Sequence, residues 1–314
     1  MAGITTMGLT FNLPNYNGPL FGITPADTPF SSAIGVLSGG GEAIFSKDFE
    51  WQTYDLRNAA QPAHLEGQAA PTPQERVRAS VDNVAQIFHS QVSLSYTKLA
   101  ASGQRNGLNN VQPTAQANEF DWQVEQELKS LKRDIEYTFI NGTYAKPADN
   151  VTARKTRGII AATTTNTVAG GAAALTETMV LNLMQSVWTN GGIQEEETAT
   201  VMVNASQKRA LTKIFITDKN YREETRTIGG VHVQTIETDF GRLNVMLNRH
   251  MPADTVQVVS LEMCKPKFLL IPGKGFLFLE ELSRVGASIQ AQIYGEIGLE
   301  YGNERCHGKI TGLA

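Results

Sequence analysis

The sequence predicts an α+β protein in which a long helix and a long strand frame a separate mixed lobe. Three observations carry that expectation. Val124, Leu128, Leu131, Ile135 and Phe139 fall at steps of four, three, four and four, one apolar stripe on a helix over 118–141. Ala287, Ile289, Ala291, Ile293, Gly295, Ile297, Leu299 and Tyr301 alternate without a break against more polar residues, the pattern of an antiparallel strand with one buried face. Between them, residues 158–262 mix short helix and strand signals and read as a lobe of their own.

The bulk numbers set limits. At 314 residues the chain can bury a core in each of two lobes. Its 27 basic and 31 acidic residues give a net charge of −4, and no basic run occurs. That excludes a dedicated nucleic-acid binder, whose affinity comes largely from neutralising phosphates, but not a surface that lies near DNA. Cys264 and Cys306 are too few for a disulfide framework and sit in no metal-type spacing, so both read as small apolar residues. Met1-Ala2-Gly3-Ile4-Thr5-Thr6 has no basic start and no apolar core of signal-peptide length. No run approaches the ~20 apolar residues of a membrane span. The expectation is synthesis in the cytosol and no membrane partner.

Taken in order, residues 1–25 are rich in Gly, Pro, Asn and Thr and read as an extended arm. Thr28 suits an N-cap, Pro29 the first helical position and Gly39 a stop, which predicts a short helix over 29–38. From Ile44 to Tyr54, alternation places Phe45, Phe49 and Trp51 on one face. From Arg76 to Tyr96 it recurs in two pieces, Val77/Ala79/Val81 and Val92/Leu94/Tyr96. Between these runs, Arg57 to Glu75 carries Pro62, Pro71 and Pro73 and almost no large apolar side chain. A structureless loop of that length is unexpected inside a compact domain. Either the strands are misread, or this is an arm whose tip lies on something other than its own domain.

Beyond a polar linker at 100–113, Asn118 caps the long helix. Glu119 and Asp121 lead it, Lys129, Lys132 and Arg133 follow, as the helix dipole prefers, and Asn141-Gly142 ends it. At ~1.5 Å per residue it spans ~36 Å, long enough to act as a spine. A short strand is read at Gly158-Ile159-Ile160. Thr176 caps a helix with Met179, Val180, Leu183, Val187 and Trp188 on its inner face. Thr200–Val203 reads as a strand, and Asn204 opens a helix with Gln207 in capping-box position and Leu211, Ile214 and Phe215 inward. Strands follow at Val231/Val233/Thr235, Leu243/Val245/Leu247 and Val256/Val258. The spine is the natural cover for the C-terminal strand, so 118–150 and 263–314 form one discontinuous lobe with 158–262 inserted.

Catalytic signatures are missing. No nucleophile turn, phosphate loop or dinucleotide fingerprint occurs. Gly273-Lys274-Gly275 reads as a turn. Asp239-Phe240-Gly241 lacks every companion segment of a kinase and reads as a hairpin turn. His64, His89, His232, His250 and His307 never fall in ligand spacing, and Glu195-Glu196-Glu197 reads as a solvated loop. No catalytic residue, cofactor site or metal site is expected, and the chain is not read as an enzyme.

An N-terminal arm, a two-stranded arm, a spine helix, a sheet lobe and an inserted mixed lobe make a distinctive order. It resembles that of tailed-phage major capsid proteins of the Hong Kong 97 fold. Local stretches are similar to that family as well: Thr28-Pro29-Phe30, Phe49-Glu50-Trp51, Asn83 with Gln86-Ile87-Phe88, and Arg133-Asp134-Ile135-Glu136. So are Glu237-Thr238-Asp239-Phe240-Gly241, Arg249 with Met251-Pro252-Ala253-Asp254, and the ending from Glu300 to His307-Gly308-Lys309-Ile310.

The resemblance implies an N-terminal arm at 1–43, an extended loop at 44–98, a peripheral domain at 99–157 and 263–314, and an axial domain at 158–262. It implies pentamers and hexamers in an icosahedral virion shell around double-stranded DNA, without sequence-specific binding, assembled in the bacterial cytoplasm. Portal, decoration or scaffolding proteins would be further partners. Phe45, Phe49, Trp51, Pro62, His64, Glu66, Pro71, Val92, Leu94 and Tyr96 are then the candidate intersubunit contacts. The physics is consistent: a lone hairpin is marginal in water, and ordering its tip costs ~1–2 kcal/mol per residue, which a neighbour's surface can offset. Two other readings stand beside it, an encapsulin-like bacterial compartment of the same fold and an unrelated soluble enzyme with its site in 158–262.

Overall fold

The computed structural model describes residues 24–36, 40–73, 75–98, 119–149, 151–192, 199–214, 224–228, 231–283 and 286–314. The N-terminal arm to residue 23, the 100–113 linker, the Asn118 cap, the Glu195–Glu197 run and Phe215 lie outside them. The chain divides into a larger compact unit (27–88, 132–278, 294–314) and a smaller one (1–26, 89–131, 279–293).

A seven-stranded mixed sheet dominates the larger unit. Its order is β5 (Thr167–Ala169), β14 (Gly308–Thr311), β10 (Val256–Val259), β6 (Ala199–Val203), β9 (Gly241–Leu247), β8 (Val231–Thr238) and β7 (Glu224–Ile228). Alternation turns Val201, Val203, Leu243, Val245, Val256, Val258 and Ile310 toward one cluster with Leu183, Met184 and Val187 of a helix at Glu177–Thr189. Thr176 caps that helix, its hydroxyl accepting from Met179 N–H at 3.3 Å. Trp188 was expected on the inner face and is 53% exposed. One residue past Val187 is a turn of about 100°, which carries it off the stripe.

Strand β14 belongs to this sheet, although the sequence groups 308–311 with the spine segment. Gly308 makes the difference: a Cβ there would lie 2.6 Å from Val187 Cγ2, so only a bare backbone lets the strand run beneath the helix. The helix at Ala205–Thr212 is capped by Asn204, which accepts from Ala205 N–H at 2.5 Å. Gln207 makes no capping box; it is buried and donates to Ala253 O at 2.8 Å.

A second sheet has five strands: β1 (Glu42–Ile44), β11 (Lys265–Leu269), β13 (Ser288–Glu300) and β12 (Leu277–Glu281) in order, with β4 (Gln86–Ser95) also paired to β13. Ala291, Ile293, Ile297 and Leu299 are buried, as the alternation predicts. The polar face does not stay open, since every residue from Gly295 to Leu299 is buried. In the smaller unit His89 and Gln91 of β4 hydrogen-bond Gln292 and Gln290 of β13, and Ser90 Oγ donates to Glu127 of the spine.

The spine helix runs Glu119–Asn141 with Val124, Leu131, Ile135, Phe139 and Ile140 buried. It ends where Gly142 and Gly158 cross, Gly158 N–H donating to Gly142 O at 2.9 Å. A Cβ on Gly158 would sit 2.5 Å from Gly142 N, so neither position tolerates a side chain cheaply. Past that crossing, Ile159–Ala162 is a helical turn and not the strand read from sequence. The first helix is also shorter than expected, Pro29–Ala33, because Gly35 takes a left-handed φ of 76° and stops it before Gly39.

Candidate assembly surface

The arm is a two-stranded sheet of β2 (Asp48–Tyr54) and β3 (Arg78–Val84), in a register from Asp48↔Val84 to Tyr54↔Arg78. Both strands lie within the 44–98 that the resemblance implies for the extended loop. Residues 45–47 form a bend between β1 and β2, so Phe45 leaves the face of Phe49 and Trp51 and is 96% exposed. At the other end Ala85 N–H donates to Lys47 O at 2.8 Å, and β4 then turns away to pair with β13. Val92 and Leu94 are therefore buried in the chain's own sheet, and Tyr96 lies exposed just past the strand. Phe49, Val92 and Leu94 are thus buried within their own chain.

The root of the arm is fixed by contacts within its own unit. Phe49 packs on Gly298, where a Cβ would lie 2.5 Å from the ring. Trp51 Nε1–H donates to Gly302 O at 2.7 Å and stands edge-on to Tyr301, centroids 4.9 Å apart. Asn83 is fully buried and satisfied on both sides of its amide. Nδ2 donates to Leu299 O at 2.7 Å and Arg157 O at 3.3 Å, and Oδ1 accepts from Val84 N–H at 2.9 Å and Arg157 N–H at 2.8 Å. The Arg157 guanidinium lies 4.1 Å over the Tyr144 ring and donates to Tyr301 OH at 2.8 Å. Tyr144 OH in turn donates to Asp82 at 2.6 Å, with Lys146 3.2 Å away. That hydroxyl bond, then Lys146 and Arg157, hold the Asp82 carboxyl below its ordinary range, while burial and Asp82 raise Tyr144.

The distal arm makes few bonds to its own chain. Every described residue from Tyr54 to Ser80 is exposed, including Pro62, His64, Glu66 and Pro71. Arg305 pairs with Asp55 at 3.1 Å, beside a cleft of about 820 Å³ that Thr53, Arg76, Arg157 and Tyr301 also line. The tip has one ordered feature, a turn in which Gln68 N–H donates to Leu65 O at 3.1 Å and Leu65 N–H to Gln68 Oε1 at 3.0 Å. Gly67 supplies its φ of 78°. Leu65 projects from that turn 82% exposed.

Sequence reasoning missed Asn83, Arg157 and Gly298 as the seat of the arm, since each acts through partners far away in the chain. It also missed Glu136, a fully buried carboxylate on the spine. Glu136 accepts the N–H groups of Phe30 at 2.9 Å and Ser31 at 2.6 Å, with Ser31 Oγ and Asn248 Nδ2 as further donors. This joins the start of the first helix to the spine, and an acidic residue between Ile135 and Ile140 was the available signal. Among the described residues no His, Cys, Asp and Glu cluster could hold a metal ion, and no helix is long and apolar enough to cross a membrane.

A family model described as SU10 major capsid protein matches residues 3–314. The chain belongs to that family. Among curated proteins none matches. Solved structures are similar in fold: the capsid asymmetric unit of cyanophage A-1(L) at 12% identity covers 99% of each chain, with a TM-score of 0.69. The capsid of Myoviridae phage XM1 follows at 12% identity, 98% of this chain, 100% of that chain and 0.59. The SrpI encapsulin of Synechococcus elongatus PCC 7942 follows at 9%, 94%, 92% and 0.59. The fold is Hong Kong 97-like, and this major capsid protein is a shell component of a phage virion.

Proposed function

We propose that the protein assembles as pentamers and hexamers into a closed icosahedral head around double-stranded DNA, in the host cytoplasm. A portal would occupy one vertex, and decoration or scaffolding proteins are further partners. Its role is structural, with no reaction catalysed. In this reading 1–43 is the N-terminal arm, 44–98 the extended loop, 99–157 with 263–314 the peripheral domain, and 158–262 the axial domain. The observation that carries it is the arm: a rooted hairpin whose distal residues, Tyr54 to Ser80, are exposed and include Leu56, Leu65 and Val77. Such a segment gains its burial from another subunit, which makes ordering of the tip part of association.

Deleting residues 58–75 tests this. The expected product is a folded subunit, unchanged in circular dichroism, that forms no closed shells in electron microscopy. Normal shells from the deletion would overturn it. The encapsulin reading shares the fold, and an encapsulin is among the similar structures. What co-purifies with the particles separates the two: DNA with tail proteins for a phage head, a cargo enzyme for a compartment.

A further inference from the structure

Strand β1 covers the outer edge of β11 in parallel register, from Glu42↔Lys267 to Ile44↔Leu269. Apolar burial contributes little to that seat. Glu42 and Ala43 are exposed, Ile44 is half-buried, and Phe45 beyond them is 96% exposed. Just before the strand, Gly41 lies on the Phe268 ring, where a Cβ would meet Cε2 at 1.8 Å. What the strand does have is charge. Glu42 pairs with Lys265 at 2.9 Å and with Lys267, and Lys267 pairs in turn with Glu300 of β13. Lys267 and Lys265 hold the Glu42 carboxyl down to about 2, so it stays ionised near neutral pH.

The four charges run across three strands, but they are not equally placed. The Glu42 and Lys265 side chains are 52% and 49% exposed, whereas Lys267 and Glu300 are 12% and 19% exposed. The inner pair ties β11 to β13 and does not need Glu42. The outer contacts tie β1 alone. Exposed pairs are weak, and salt screens them. A three-residue strand held in this way opens at a free energy well below that of the whole subunit. Lifting it bares the edge of β11, a row of backbone N–H and C=O groups of the kind that short, charged edge strands keep from pairing with other chains.

We infer that β1 is a salt-sensitive strap: Glu42 clamps it over the edge of β11 by charge, and it lifts while the rest of the larger unit stays folded. This goes beyond the shell reading and is tested on the unassembled, full-length subunit. The experiment is hydrogen exchange by mass spectrometry at about 0.1 M and about 1 M NaCl, between which the Debye length falls from about 10 Å to about 3 Å. In the parent, peptides covering β1 are expected to exchange about threefold faster at the higher salt. Glu42→Gln keeps the shape and removes the charge. It is expected to exchange there about tenfold faster than the parent at the lower salt, and to lose the salt dependence. Glu42→Lys sets a third cation against two and should reverse the dependence, exchanging more slowly at high salt as the repulsion is screened. Exchange across β6 should be unchanged in all three proteins. Several outcomes overturn the proposal: a β1 unprotected in the parent, a Glu42→Gln protein that protects β1 as the parent does, or variants that keep the parent's salt response. Loosening of β6 in step with β1 would also overturn it, because Glu42 would then support the whole unit and not a strap. None of these bears on whether shells form, so the strap and the shell reading fail separately.

Discussion

His307 illustrates how a single side chain can be silenced by its surroundings. It is fully buried; Nδ1 accepts from Ser260 N–H at 3.3 Å and Nε2 lies 2.7 Å from Tyr301 O, so the neutral ring with its proton on Nε2 satisfies both. Burial lowers its pKa from 6.5 to about 4. Above pH 6.5 the ring is neutral whether the chain is folded or not. As pH falls toward 4 the unfolded chain takes up a proton that the folded chain refuses, so stability declines, by about 3 kcal/mol in full. Urea titrations from pH 7 to pH 4 should show that decline, and His307→Gln should flatten it. An unchanged slope in the variant would refute the assignment. Glu42 acts in the same direction at lower pH: Lys267 and Lys265 hold its exposed carboxyl down to about 2, so this contribution too is lost as pH falls below the ordinary carboxylate range.

Among the elements, the hairpin is decided by its seat. Phe49 reaches its place because β13 has glycine at 298, where a Cβ would lie 2.5 Å from the Phe49 ring and 3.1 Å from Val84 O. Gly298→Ala is expected to destabilise the subunit by about 1–3 kcal/mol through overpacking. Adding Phe49→Leu, which trims the ring, should recover part of that. Chemical denaturation of both variants checks the prediction, and a neutral Gly298→Ala would mean the arm is free to shift on the sheet. The same seat explains why the long strand signal over 287–301 ends with both faces buried. Alternation in sequence marks one apolar face, but a second layer reached from residues 49 and 84 covers the other.

For the whole subunit, the contrast is between a rooted body and a distal arm with little cover. Arg57 and Arg76 lie within the exposed stretch, on either side of its proline-bearing tip. Trypsin is therefore expected to cut the free subunit at one or both sites, because exposed tips are preferred sites of nicking. In closed shells the same bonds should be protected at least about tenfold. Equal cutting in shells and free subunits would show that no neighbour covers the arm.

The sequence alone determined the kinds of the long elements and their order, though not of the short turn at Ile159–Ala162. Period 3.6 on the spine, period 2 on the C-terminal strand and the proline-bearing gap at 57–75 are local signals that need no partner to be read. They also sufficed for the family resemblance. Tertiary structure decided where those elements stop and what they touch. Gly35 ended the first helix early, the 45–47 bend turned Phe45 outward, and Gly308 put the last strand under a helix of the other lobe. The candidate contacts divided the same way: Pro62, His64, Glu66 and Pro71 lie exposed on the arm, whereas Phe49, Val92 and Leu94 are buried in their own chain. The reason is physical. Periodicity records which side of an element is apolar, but not whether the surface covering it comes from the same chain or the next one.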